Sequence, residues 1–341
     1  MRIAVDAFGG DNAPEAILSG CIRAIEKFDG EIILVGDEAK LSALLSNEEL
    51  PQGRIRIQHA SEVIETGEPP VESIRKKKDS SLVVALSLVK NGEADAVVSA
   101  GNTGAYLAGA FRLLGRMKGI KRPALTTPMP TTGDVGVILD AGANADCRPE
   151  HLVQFAHMGA IYAEHVLGIK NPRVGLLNIG AEEEKGNSLT KETHALLKEE
   201  KLNFIGNIEA RDVPAGAADV IVCDGFTGNV VIKLIEGTAS ALFSMLKGAF
   251  YKSFITKLAA LILKPGLKAI KAKMDYSEYG GVPLLGVDGV VFKAHGSSDA
   301  KAICNAICAA ATYVSAGVND KIKAVLLERA DENETAENSE N

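Results

Sequence analysis

Six polar clusters carry the residue types that could do chemistry in this chain. They are Asp6–Pro14 with Gly9 and Gly10, Ala100–Ala105 with Asn102, Thr103 and Gly104, and Asp140–Asn144. Further along come Lys185–Asn187, Asp224–Asn229 with Thr227 and Gly228, and Ala294–Asp299 with His295, Ser297 and Ser298. Glycine at such places permits close backbone approach and positive φ. Asn, Thr and Ser supply neutral donors or cap the following helix, whose free N–H groups hold anions. The chemistry described is the binding of phosphate-like oxygens without a dedicated cage of charge. Any one cluster also reads as ordinary capping of a strand-to-helix turn. Six in the same register point to one shared crevice.

Other chemistries lack their signatures. No GxxxxGK[ST] loop and no strand-to-helix GxGxxG supports nucleotide binding, and neither HExxH nor GxSxG occurs. His151, His157 and His165 are spaced six and eight apart and read as ordinary helix histidines. The five cysteines, 21, 147, 223, 304 and 308, form no CxxC pair and read as reduced thiols of a cytosolic protein. Neither a metal nor a cofactor is expected.

The elements that must position these loops are legible as apolar runs. Ile3–Asp6, Ile32–Gly36, Ala96–Ser99, Val137–Asp140, Val174–Asn178 and Val220–Asp224 are nearly continuous and rich in β-branched residues, as strands buried on both faces should be. Between them lie the helical patterns Glu15–Lys27, Thr103–Lys118, His151–Val166, Leu189–Glu200 and Asn229–Phe250. This alternation predicts an α/β fold, a mostly parallel sheet with helices on both faces. Ligands of such sheets sit in the loops after the strands. Residues 1–329 are expected to form one α/β catalytic domain, and the acidic segment 330–341 a disordered tail. Ala302–Asn319, free of charge but interrupted by polar residues, reads as a buried or interface helix rather than a membrane span.

The chain has 341 residues and a formal net charge of −7, which argues against a general nucleic-acid binder. The total conceals an asymmetry. Gly237–Met274 holds seven lysines and no Asp or Glu, so it carries +7 and leaves −14 for the remainder. Phe243, Leu246, Phe250, Phe254, Leu258 and Leu261 recur there at helical steps, with Lys247, Lys252, Lys257, Lys264 and Lys268 around them. Pro265-Gly266 is expected to break the pattern, making 243–275 an inserted amphipathic helical hairpin. Its apolar stripe and lysines fit docking on an anionic membrane surface or an acidic partner protein. The competing reading is a helix packed on its own domain. A second basic run, Arg75–Lys78, precedes another helix and reads either as solvated charge or as the rim of an anion site.

Taken in order, Asp6–Pro14, Arg75–Ser81, Ser99–Ala105, Asp140–Asn144, Asn178–Asn187, Gly206–Asp212, Asp224–Val230, Tyr276–Gly281 and Lys293–Asp299 resemble the PlsX family of bacterial phosphate acyltransferases, with the match running from Met1 to about Leu327. Phe8 and Asn12 depart from it, where the family favours Met and often has His. The resemblance implies transfer of a long fatty acyl group from acyl carrier protein to inorganic phosphate, giving acyl-phosphate for phospholipid synthesis. It also implies a fold related to phosphotransacetylases and isocitrate-type dehydrogenases, a homodimer, and a cytoplasmic enzyme peripherally bound to the inner face of the membrane. Phosphate would then be both substrate and nucleophile. Lys185 is assigned to phosphate charge or the leaving sulfur, Asn187 and Asn229 to neutral donation, and His295 to protonation of the thiolate. Gly9, Gly10, Asn102, Thr103, Gly104, Asn144, Asp224, Thr227, Gly228, Ser297 and Ser298 would line the substrate site. Two alternatives stay open: an NAD(P)-dependent decarboxylating dehydrogenase on the same broad fold, and a non-enzymatic membrane or carrier-protein adaptor.

Overall fold

The computed structural model describes residues 1–46, 53–133, 135–273 and 278–327. The predicted tail 330–341, and residues 274–275 of the predicted insertion, lie outside them. Among the described residues the chain builds two sheets where the sequence predicts one. The first contains β1 (Arg2–Asp6), β2 (Glu31–Gly36), β3 (Ile55–His59), β4 (Ala96–Ser99), β5 (Ala124–Leu125), β11 (Gly281–Leu285) and β12 (Val291–Ala294), in the order β3-β2-β1-β4-β12-β11-β5. Its strands from β3 to β12 are parallel; β11 runs antiparallel between β12 and β5. The second contains β6 (Thr127–Pro130), β7 (Val135–Leu139), β8 (Val174–Asn178), β9 (Phe204–Glu209) and β10 (Val220–Val222), in the order β6-β7-β10-β8-β9, with only β6 antiparallel. The chain crosses between sheets at buried Thr126. The short runs on either side, broken by Pro128 and Pro130, give no strand signal in sequence.

The helices are α1 (Glu15–Ile25), α2 (Glu38–Leu45), α3 (Pro70–Lys76), α4 (Ser81–Lys90), α5 (Thr103–Leu113), α6 (Pro149–His165), α7 (Ser188–Glu199), α8 (Gly225–Phe250), α9 (Phe254–Lys273), α10 (Ala300–Ser315) and α11 (Val318–Leu327). The apolar runs do sit where both faces are covered: Ile3, Ala4, Ile32, Ile33, Val97, Val98, Ile138, Val220 and Ile221 are all fully buried. The charge-free run predicted as a buried helix becomes α10, packed on α1. They approach so closely that a Cβ on Gly20 would lie 2.6 Å from Ile303 Cβ, so glycine is required there.

The basic insertion differs from its prediction in where it bends. α8 runs unbroken from Gly225, and the chain turns at 251–253. There the Ser253 and Thr256 hydroxyls accept each other's backbone N–H at 3.2 and 3.0 Å, a reciprocal cap that starts α9. Pro265, expected at the tip, lies inside α9. Proline denies the Leu261 carbonyl its helical donor, and Leu261 is exposed, so water can satisfy it. The break divides the predicted stripe. Phe243, Leu246 and Phe250 on α8 are half-buried, whereas Phe254, Leu258 and Leu261 on α9 are 83%, 54% and 66% exposed.

Candidate active site

The six predicted loops all follow strand ends, but the two sheets divide them into two crests of three loops each. The first crest follows β1, β4 and β12. Asp11 N–H donates to the Gly296 carbonyl at 2.8 Å, and Asn12 Nδ2 donates to the Ser297 and Ser298 carbonyls at 3.2 and 3.3 Å. Gly10 has φ +106°, in the left-handed region glycine tolerates. A Cβ on Gly9 would stand 2.4 Å from Asp6 Oδ2 and 2.7 Å from Gly101 N, so only glycine lets these loops close together. His295 Nδ1 and Ser297 Oγ are 2.8 Å apart, on the exposed side of the crest. Ser298 is buried, and its Oγ has no hydrogen-bond partner among the described residues.

Beneath this crest three neighbouring strand ends carry Asp6, Ser99 and Lys293, all buried. Lys293 is in register with Ser99, whose hydroxyl donates to Asp6 Oδ2 at 2.7 Å. Phe8 N–H donates to Asp6 Oδ1 at 3.3 Å. Burial pushes the Asp6 carboxyl up, and the Ser81 and Ser99 hydroxyls, Phe8 N–H and Lys293 charge pull it back. Burial pushes the Lys293 ammonium down to about 8 against the pull of Asp6 and then Asp11. Sequence reading assigns Lys293 no role, because a single lysine at a strand end looks like an outward-facing residue.

The second crest follows β7, β8 and β10 and centres on Asp140. Its buried carboxylate accepts N–H from Leu125 at 3.0 Å, Gly142 at 3.1 Å, Ala143 at 3.0 Å and Asn144 at 2.7 Å, plus Asn144 Nδ2 at 2.8 Å. Asn144 also donates Nδ2 to the Pro123 carbonyl at 2.7 Å, so the side chain predicted to line the site supports the loop from below. Asp224 caps α8, accepting from Thr227 N–H at 2.9 Å and Thr227 Oγ1 at 2.7 Å. Gly228 packs so tightly that a Cβ would lie 2.0 Å from the Asp140 carbonyl oxygen. Asn229 Nδ2 lies 3.9 Å from where a Cβ on Gly142 would be, which places its amide beside this loop.

Asn187 caps α7 through Oδ1, which accepts from Thr190 N–H at 3.0 Å, leaving its amide nitrogen for other use. Lys185 is exposed, and its backbone carbonyl is held by Asn178 Nδ2 at 3.1 Å. Asn102 caps α5 by accepting from Ala105 N–H at 3.0 Å, leaving the N–H groups of Thr103 and Gly104 in the first turn. Two cysteines sit near the second crest. Burial pushes the Cys147 thiol up to about 12, aided by Asp140 and Asp224, and drives Cys223 up as well. Neither is a thiolate at neutral pH, so neither is an activated nucleophile.

A family model described as fatty acid synthesis protein matches residues 1–321. A protein of Desulfitobacterium hafniense (strain Y51) named phosphate acyltransferase is 56% identical over 324 residues, covering 95% of this chain and 96% of that protein. One of the same name from Bacillus licheniformis is 53% identical over 334 residues, covering 97% of this chain and 100% of that protein. Among solved structures, a phosphotransacetylase from Streptococcus pyogenes superimposes with a TM-score of 0.62 at 18% identity, over 92% of this chain and 94% of that one. This last likeness shows the fold: mixed α/β, with mostly parallel sheets flanked by helices.

Proposed function

The chain belongs to the fatty acid synthesis protein family, and on that premise we propose that it is a phosphate acyltransferase whose donor is the thioester of an acidic acyl carrier protein. The carrying observation is a site built from glycine N–H groups, helix starts and Asn side chains, with thiols held protonated nearby. Such a site receives an oxyanion and leaves the attack to it.

In the reaction a phosphate oxygen attacks the thioester carbonyl, forming a C–O bond and a tetrahedral oxyanion. Collapse breaks the C–S bond and gives acyl-phosphate and the carrier thiolate, which takes a proton. Holding both reactants together supplies much of the acceleration, and donors aimed at the oxyanion supply more. Lys185 offsets negative charge on phosphate or the leaving sulfur, while Asn187 and Asn229 donate to the oxyanion. His295, on the other crest, protonates the thiolate. The substrates therefore lie between the crests, reached from both.

The apolar side chains of α9 and the lysines around them support peripheral docking on an anionic bilayer, on the cytoplasmic face of the membrane. α8 adds a second apolar surface. It spans 26 residues, an 18-residue stretch of it has a mean hydropathy of 1.3 and is only 6% buried, and Leu234 and Met245 are exposed. An exposed face of this kind also supports a homodimer. We read 243–273 as a foot on an otherwise acidic catalytic domain. To test the transfer, the protein is incubated with acyl-carrier thioester with and without inorganic phosphate. Phosphate-dependent release of free carrier thiol is expected; release indifferent to phosphate, or none from folded protein, would end this reading.

A further inference from the structure

Among the described residues Lys293 is the only buried lysine or arginine. A buried ammonium is costly unless partners or a ligand satisfy it. Asp6 supplies charge, but that carboxylate already accepts from Ser99, Phe8 and Ser81. Among the described residues, the one acceptor for its three ammonium N–H groups is the carbonyl of Ala294, one residue nearer the crest.

The position is as informative as the residue. In the first sheet β1 leads outward through β2 to β3, while β4 lies on its other side, so the strand order reverses between β1 and β4. Open α/β sheets bind ligands outside the strand ends at such a reversal. Asp6 and Ser99 close the two strands that flank it, with Lys293 one strand further on. Above them the N–H groups of Gly9 and Gly10 have no acceptor among the described residues, and the first turn of α5 presents Thr103 and Gly104. Successive glycine N–H groups, a helix start and an ammonium make a concavity for an oxyanion.

We infer that Lys293 is the cation that binds inorganic phosphate at the β1/β4 reversal, with Asp6 as the carboxylate that keeps it charged. This rests on the reading of phosphate as substrate. It assigns the phosphate charge to the first crest and leaves Lys185 to the leaving sulfur. The groups that face the ammonium are Asp6 at the end of β1 and Asp11 in the following loop; Tyr106 of α5 stands next to Asp6.

The test measures KM for phosphate and for acyl carrier thioester in wild type, K293M, K293R and the double variant D6N/K293M, with calorimetric titration of inorganic phosphate alone. K293M should raise the phosphate KM at neutral pH by about tenfold or more, leave the donor KM within about twofold, and be partly rescued by K293R. In wild type the phosphate KM should climb above a pH of about 8, where the ammonium is lost, and K293R should lack that rise. Wild-type phosphate KM in folded K293M, or a raised donor KM instead, would overturn the assignment. So would recovery of the wild-type phosphate KM in D6N/K293M, since the lysine would then serve only to neutralise Asp6. The double variant buries neither charge and so also covers the case in which K293M fails to fold. Phosphate binding that disappears with Lys293, in protein showing no acyl transfer, would keep this site and discard the transfer reading.

Discussion

Asp6 and Asp140 close β1 and β7, each buried at the C-terminal edge of its own sheet, yet they are satisfied in opposite ways. Asp140 is wrapped by backbone and amide N–H groups of one short loop and of Leu125, without a cation. Asp6 takes one backbone N–H, two serine hydroxyls and the field of Lys293. Both carboxyls are pushed up by burial; what pulls them back differs. A carboxylate saturated by its own loop fixes that loop's shape and has nothing left for a ligand. One neighboured by an ammonium with spare donors keeps a positive group in reserve. The same residue at equivalent places is thus a clamp in one sheet and a counter-ion in the other.

The largest effect should come from removing the clamp. Asp140→Ala strands several buried donors at about 1–3 kcal/mol each, a sum comparable to the roughly 5–15 kcal/mol that stabilises a typical domain. Thermal or urea unfolding should find the variant unfolded or severely destabilised; near-wild-type stability would mean that the loop stands without its carboxylate. Next come the groups assigned to chemistry on the two crests. Lys185→Ala and His295→Ala change exposed side chains and should leave the fold intact, while acyl-phosphate synthesis falls by about 10²–10³. If both kept wild-type turnover, neither crest would hold its catalytic group where we place it.

A smaller change sharpens the contrast directly. Asp6→Asn removes the charge that holds the Lys293 ammonium up, so the ammonium should lose its proton at lower pH. The alkaline rise in phosphate KM, expected near 8 in wild type, should then begin about one pH unit lower, equivalent to about 1.4 kcal/mol. An unmoved profile would show that Asp6, like Asp140, only shapes its loop. The smallest effect on stability lies outside both crests. Leu258→Glu on exposed α9 should shift stability by less than about 0.5 kcal/mol. It should nonetheless abolish co-sedimentation with anionic vesicles, and undiminished binding would argue that α9 docks elsewhere.

Sequence made the clamp's loop visible and the counter-ion's partner invisible, for a physical reason. Runs such as Ile3–Asp6 and Val220–Asp224 declare themselves because strands buried on both faces can be apolar throughout. The half-exposed edge strand β3, Ile55-Arg56-Ile57-Gln58-His59, mixes polar residues into its pattern and passes for loop. All six polar loops are legible, since glycine and capping residues mark strand-to-helix turns. Their division into two crests is not, because it depends on which sheet each strand joins. Lys293 is hidden for the same reason: its burial comes from strands remote in sequence. The Ser253…Thr256 cap, by contrast, is written locally and marks the start of α9 better than Pro265-Gly266 marks a break.

The central claim is that bound phosphate is the nucleophile, and uniformly ¹⁸O-labelled phosphate tests it most directly. With long-chain acyl carrier thioester as donor, mass spectrometry should find acyl-phosphate carrying every phosphate label, formed one for one with free carrier thiol. Free fatty acid carrying oxygen from water, released at the same rate with or without phosphate, would contradict the account.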